Sequence, residues 1–366
     1  MNIELVRSYC LSKPGTTEDS AFGPEGILFR ICGKIYAYLD LERPDQVVLK
    51  CNPDYAISLR DRYAGISGAW HWNKKHWNEV HFEEGISDKL VYELIDHSYS
   101  EVVNTLPKKL LYHFPDLPEG WKHTHLDCVD STMNYLRCEP DIPSPFNLVT
   151  ADFQTAGRGQ RGTSWEADKG VNLLFGFKFH PTWLRADRQF LLSEALALAV
   201  AQSLEKYAGK SISIKWPNDI YCGDRKICGM LLEHDLCGAH IATTLTGIGI
   251  NVNQRQFCSQ APNPVSLYQL LGKEVDRAAI LRNVLRLFTE YYRQLLNSQT
   301  SQIEKAYLKR LYRAAGYYPY RDANECFEAQ IESVCPNGQL VLRDSQGQQR
   351  IYAFKEVAFV LPDSNT

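Results

Sequence analysis

The stretch Gln154-Thr-Ala-Gly-Arg-Gly-Gln-Arg-Gly-Thr-Ser-Trp165 sets three glycines and two arginines close together. Such a segment can wrap its backbone N–H groups around a phosphate while the guanidinium groups neutralise it. Downstream, Lys215-Trp-Pro-Asn-Asp219 supplies a lysine and an acid a few residues apart, and Arg225-Lys226 leads into the small-residue step Cys228-Gly229. An anion cradle, a carboxylate for Mg²⁺ and a lone lysine are the parts needed to activate a carboxylic acid with ATP. The pattern predicts an adenylating ligase.

Each part also has a plain reading. The glycine loop by itself is a surface turn with solvated arginines, Asn218-Asp219 an Asx turn, and Lys226 a surface lysine. Two features favour a ligand. Arg158 and Arg161 flank the glycines, a crowding of charge that an anion between them would relieve. Leu148 to Phe153 reads as a strand that delivers the loop to a sheet edge. Pro217 cannot continue a ladder, so the strand before it ends and presents Asn218 and Asp219 at its tip. Near the loop, Lys226 can bridge a carboxylate and an α-phosphate as charge builds on phosphorus. Gly247-Ile-Gly-Ile-Asn-Val252 is a β-run whose glycines either admit a flat ligand or pack tightly on a neighbour.

The elements that position these residues fall into an α/β (α+β) arrangement. At 366 residues the chain suggests two or three domains, and its composition of 44% hydrophobic and 23% charged residues with a net charge of −3 is that of a globular protein. So small a net charge argues against a nucleic-acid-coating protein. The longest apolar run, Leu191 to Val200, is interrupted by Ser193 and Glu194, too short to span a membrane. The start of the chain lacks the pattern of a secretory signal. The 11 cysteines are scattered, and Cys222 with Cys228 has no second pair to complete a zinc site. Reduced thiols in a cytoplasm are the simplest reading.

Residues 1–113 read as a small α/β unit. Helices are expected at Asn2 to Ser12, Pro53 to Arg62 and Ser87 to Leu106, and strands at Ile27 to Cys32, Lys34 to Leu39 and Gln46 to Lys50. Residues 114–120 have the Pro, Gly and acid content of a linker. From 121 to 312 strands (Leu148 to Phe153, Leu173 to Phe179, Ile212 to Trp216, Thr243 to Val252) mix with amphipathic helices (Leu191 to Tyr207, Arg277 to Leu296). Residues 313–366 alternate in short runs with turns at Pro336-Asn-Gly338 and Ser345-Gln-Gly347, a small all-β barrel.

Five motifs, in order and spacing, resemble the biotin protein ligases over about residues 121–362. They are Asp130-Ser-Thr-Met-Asn-Tyr-Leu136, Gln154 to Gly162 with Trp165, Lys215 to Asp219, Arg225-Lys-Ile-Cys-Gly229, and Gly247-Ile-Gly-Ile-Asn-Val-Asn253. The resemblance implies a catalytic domain like that of class II aminoacyl-tRNA synthetases and a C-terminal SH3-like barrel. It implies that Ser131, Thr132, Met133, Gln154, Gly157, Arg158, Gly159, Gln160, Lys226, Gly229, Gly247 and Gly249 meet biotin. It places Arg158, Arg161, Trp165, Lys215, Asn218, Asp219 and Asn251 on ATP, and Asp219 on Mg²⁺. Lys226, Arg158 and Asp219 would carry catalysis.

The implied chemistry runs in two steps. The biotin carboxylate attacks the α-phosphate of Mg-ATP to give biotinyl-5′-AMP and pyrophosphate. A lysine amine of a biotin carboxyl carrier domain then attacks the mixed anhydride and AMP leaves, with Asp219 orienting or deprotonating the amine. The anhydride must be kept from water, a task for the loop. The sequence departs from the family at Gln160, where Arg is frequent, and at Met133, where many members have Asn. The family resemblance is compatible with a homodimer, and a lipoate or octanoate transferase is the nearest rival.

Residues 1–113 resemble the MmcQ/YjbR family through Phe22-Gly23-Pro24, Gly33-Lys34-Ile-Tyr-Ala, Leu49-Lys50-Cys51, Asn73 to Asn78 and Leu94 to Tyr99. This implies a frataxin-like fold. The unit holds 13 Lys and Arg against 16 Asp and Glu, so nucleic-acid binding, which would make the chain a biotin-sensing regulator or adaptor, is not favoured. Trp70, Trp72, Lys74, Lys75, His76 and Trp77 interleave rings and cations; a tryptophan-rich core edge is the preferred reading. His71, His76 and His81 fit neither a helix face nor a strand face and are not read as metal ligands.

Overall fold

The computed structural model describes residues 1–20, 25–107, 110, 117–140, 144–159, 165–258 and 263–361. The chain divides into two compact units, Met1–Phe114 and Pro115–Thr366.

In the first unit, three capped helices cover a six-stranded antiparallel sheet. Asn2 accepts from the Leu5 amide ahead of α1 (Ile3–Leu11), Asn52 precedes Pro53 at the start of α2 (Pro53–Arg62), and Ser87 accepts from Leu90 before α3 (Asp88–Val103). The strands are β1 (Thr16–Asp19), β2 (Gly26–Ile31), β3 (Lys34–Asp40), β4 (Gln46–Lys50), β5 (Ile66–Gly68) and β6 (Trp77–His81), ordered β1-β2-β3-β4-β6-β5. Val6, Phe29, Tyr36, Leu39, Val47, Leu49, Leu94 and Ile95 form its core. Three strands escape the sequence reading: β1 and β5 are short, and β6 carries too many polar residues to show its pairing with β4. In the tryptophan-rich segment Trp72 lies 4.4 Å from Trp77 and 5.7 Å from Tyr38, ring to ring, whereas Trp70 is exposed with Lys74 over its face.

The second unit holds a seven-stranded sheet ordered β10-β11-β12-β13-β9-β8-β7. Its strands are β7 (Trp121–Leu126), β8 (Phe146–Ala151), β9 (Leu173–Phe179), β10 (Ile212–Lys215), β11 (Asp219–Cys222), β12 (Arg225–Cys237) and β13 (His240–Ile250). Only β7 and β8 pair in parallel. One expectation is corrected: the strand that leads into the glycine loop is not at the sheet edge. β8 is buried at every position between β9 and β7. β7 escaped notice because Lys122, His123, Thr124 and His125 give it a polar outline. A short helix α4 (Thr132–Cys138) lies over β8, β9 and β13, and α5 (Phe190–Ala208), buried nearly all round, packs against α7 (Arg277–Leu296) and α8 (Thr300–Lys309). A one-turn helix α6 (Leu267–Leu271) starts with a Ser266/Gln269 capping box.

Five further strands, β14 (Tyr318–Arg321), β15 (Cys326–Val334), β16 (Leu340–Asp344), β17 (Gln349–Tyr352) and β18 (Ala358–Phe359), make the C-terminal antiparallel sheet in the order β17-β16-β15-β14-β18. It docks on the larger sheet's domain through Gly338. The Trp216 indole donates to the Gly338 carbonyl at 2.9 Å, and a Cβ at Gly338 would press on the Phe190 ring at 2.7 Å. Among the described residues no helix is long and apolar enough to cross a membrane.

Inside α5, Glu194 is buried and its Oε2 has no hydrogen-bond partner among the described residues. Burial, with Glu304 nearby, pushes its carboxyl up to about 8. The folded form therefore holds a proton that the unfolded chain releases near its ordinary value. Stability is full at acid pH and falls as pH rises through the window from there to about 8. Glu194→Gln is expected to flatten this dependence, a gain over the wild type on the order of 2–4 kcal/mol at pH 8 relative to pH 5, read by urea unfolding at the two pH values.

Candidate active site

The floor is a patch of glycines. Side chains on a strand alternate between faces, and the register sets Gly229 opposite Gly249 and Gly247 opposite both Leu231 and Gly176. These four glycines thus share one face of three adjacent strands. The space they leave is occupied by side chains from above. A Cβ at Gly249 would run into the Trp165 indole, one at Gly229 would meet the same ring at 2.8 Å, and one at Gly247 would meet Met133 at 2.8 Å. A Cβ at Gly176 would run into the Thr246 carbonyl oxygen.

Over this floor the glycine loop and α4 meet. Gln154 Oε1 accepts from the Thr132 amide at 2.8 Å and from Thr132 Oγ1 at 3.1 Å, so Gln154 supplies the cap that Ser131 does not. Ser131 and Thr132 are buried. The Gly157 carbonyl accepts from the Trp165 amide at 2.9 Å, and a Cβ there would crowd Trp165 and Gln154. Gly159 closes the described part of the loop; Gln160 and Arg161 lie outside the described residues.

At the other end of the floor stands the lysine. A register shift between Ile220 and Tyr221 brings Lys226 opposite Tyr221 and Cys228 opposite Ile220. The bulge turns Lys226 onto the glycine face, where its Nζ lies 3.3 Å from the point a Gly229 Cβ would take. The Nζ pairs with Asp219 Oδ1 at 2.7 Å and sits 5.7 Å from the Trp165 ring centre. Backbone bonds to Asn263 and Val265 hold Lys226 in place.

The β10–β11 hairpin underlies this corner, with a cis Trp216-Pro217 bond at its turn. Lys215 stands over the rings of Tyr221 (5.1 Å) and of Phe359 from the C-terminal sheet (5.4 Å). Burial holds its ammonium below the usual lysine range, partly countered by Asp219. Among the described residues no carboxylate comes within ion-pair reach of Lys215. Asn218 departs from the reading as a group presented at the strand tip: its side-chain Nδ2 donates to the Met230 carbonyl, and its backbone carbonyl accepts from the Met230 backbone N–H at 3.0 Å.

Arg158 is also placed otherwise than by the crowding argument. Its guanidinium donates to Asn134 Oδ1 at 3.1 Å and to Glu233 Oε1 at 3.2 Å, so Glu233 balances the charge. Two buried polar atoms in this region have no partner among the described residues, Trp165 Nε1 and Asn251 Oδ1. Unpaired buried groups cost about 1–3 kcal/mol each, a cost a polar ligand would remove. The sequence reading missed Gly176, Asn134, Glu233 and Phe359. An isolated glycine within the apolar run Leu173 to Phe179 is the signal that could have found the first.

The biotin/lipoate A/B protein ligase family matches residues 126–251, and YjbR matches residues 11–101. The bifunctional ligase/repressor BirA of Bacillus subtilis is 30% identical over 209 residues, covering 56% of this chain and 64% of that protein. The chain thus spans less than two thirds of that relative's length. The biotin–[acetyl-CoA-carboxylase] ligase of Paracoccus denitrificans is 30% identical over 210 residues, 56% of this chain and 87% of that protein. The uncharacterized protein YjbR of Escherichia coli K12 is 29% identical over 110 residues, 30% of this chain and 93% of that protein. Among solved structures, the biotin protein ligase from Aquifex aeolicus in complex with biotin and ATP superimposes with a TM-score of 0.55 at 25% identity, covering 65% of this chain and 97% of that one.

Proposed function

The chain belongs to the biotin/lipoate A/B protein ligase family, and from that premise we propose that it activates biotin with ATP and passes it to a lysine of a biotin carboxyl carrier domain. The observation that carries this reading is the Lys226–Asp219 pair beside Trp165 on the glycine floor. A flat, mostly apolar bicyclic ring would lie on the glycine floor in the place that the Met133 and Trp165 side chains cover, with Thr132 and Gln154 beside it. Its carboxylate would meet Lys226, which exchanges Asp219 for the acid and the α-phosphate. Lys226 then gains strength as charge develops on phosphorus, because the ammonium is already in place.

Lys215, with no carboxylate in ion-pair reach among the described residues, suits the outer phosphates. Trp165 offers its face to the adenine, and Asn251 an oxygen, unpaired among the described residues, to the nucleotide. Asn218 acts by shaping the turn that carries Asp219. Asp219 would be one ligand to Mg²⁺; a single carboxylate suits an ion otherwise held by phosphates, where the ion would offset their charge. Once Lys226 has turned to the adenylate, Asp219 is free to orient the incoming amine. Gln160 and Arg161 would complete the loop around the anhydride. The carboxylase carrier as partner, a cytoplasmic setting, and the division into residues 1–113, 121–312 and 313–366 belong to the same reading.

Incubation with biotin, Mg-ATP and a biotin carboxyl carrier domain should add one biotin to the carrier lysine, read by intact mass. Lipoate or octanoate in place of biotin should add nothing. A carrier that stays unmodified with biotin, or gains the lipoyl group instead, removes the proposal.

A further inference from the structure

We propose that Glu233 is a positioning residue for the loop segment Gly157–Gly159, acting through Arg158; this deepens the ligase reading and rests on it. Glu233 lies on β12 four residues past Gly229, and strand alternation puts it on the same face, at the rim of the glycine floor. Its two oxygens serve two arginines from different elements. Oε1 takes Arg158 of the loop at 3.2 Å, and Oε2 takes Arg137 of α4 at 2.8 Å. Arg137 continues to Asp235 at 3.4 Å, while Arg158 donates to Asn134, whose amide donates to Asp130 at 2.6 Å. Loop, helix and strand are tied at one carboxylate.

Each pair is partly exposed and would contribute little alone. A single carboxylate shared by two guanidinium groups makes the contacts depend on one another, so losing Glu233 leaves Arg137 with Asp235 alone and Arg158 with no carboxylate partner among the described residues. The consequence falls on the loop. Gly157 accepts from the Trp165 amide, and Trp165 covers Gly229 and Gly249, so a loop freed at Arg158 loosens the wall over the floor. Arg158 therefore serves the site by anchoring backbone at the rim, and Glu233 sets how long an activated acid stays bound.

The test uses the full-length chain with radiolabelled biotin and Mg-ATP. The adenylate complex is isolated by rapid gel filtration, and its release is followed without carrier. Glu233→Gln is expected to release the adenylate about fivefold faster than the wild type, with its melting temperature unchanged. In a double-mutant cycle with Arg158→Gln, the double variant is expected to release no faster than the faster single variant, as required if both act through one contact. Wild-type retention in Glu233→Gln, or effects that multiply in the double variant, would overturn the role of Glu233 alone. Failure of the wild-type chain to form any adenylate would overturn the ligase reading and this inference with it.

Discussion

Replacing Lys226 with alanine should abolish adenylate formation while the protein stays folded. The lysine is the cation on the glycine face whose position the β12 bulge and the Asn263 and Val265 backbone bonds hold. Preorganised charge of this kind contributes on the order of 10²–10³ in rate where charge builds in the transition state. We expect pyrophosphate release from biotin and Mg-ATP to fall by about 10³-fold. The structural cost is small, because the Lys226–Asp219 pair is partly open to solvent: the Lys226 side chain is 30% exposed. Circular dichroism and the melting temperature should match the wild type. Arginine at this position should rescue little, since a planar fork does not occupy the place of a compact ammonium. Activity within threefold of wild type in Lys226→Ala would take the lysine out of the chemistry.

The second large effect is expected at Gly249. A methyl group there runs into the Trp165 indole, which also covers Gly229. Overpacking of this kind costs about 1–3 kcal/mol, which in a binding site is about five- to a hundred-and-fiftyfold. Gly249→Ala should raise KM for ATP by that factor. A smaller ring makes room, so Trp165→Phe in the same chain should recover part of the loss. Unaltered kinetics in Gly249→Ala would mean that no substrate uses the floor.

Much of the fold was legible because helices and buried strands repeat their apolar residues at the period of the backbone. Pro53–Arg62 and Arg277–Leu296 have the limits their caps and spacing predict. The strands that escaped, β1, β5, β6, β7, β11, β12, β14 and β18, are short or have polar residues on an exposed or charged face. A strand of that kind is recognised by its neighbour, and the neighbour is set by tertiary pairing.

The chemistry of the site shows the same division. Residue types and their order along the chain were enough to name the chemical parts: a glycine loop, a Trp-Pro strand end followed by an acid, a lysine three residues before a glycine, and a final glycine strand. What folding alone decided was which parts touch. The bulge at Ile220/Tyr221 turns Lys226 toward Asp219, strand register aligns four glycines from three separate segments, and Glu233 meets an arginine 75 residues earlier in the chain. Covalent order specifies local conformation and available functional groups. Contacts between distant residues depend on how strands pair and bulge, and that is settled only when the whole sheet forms.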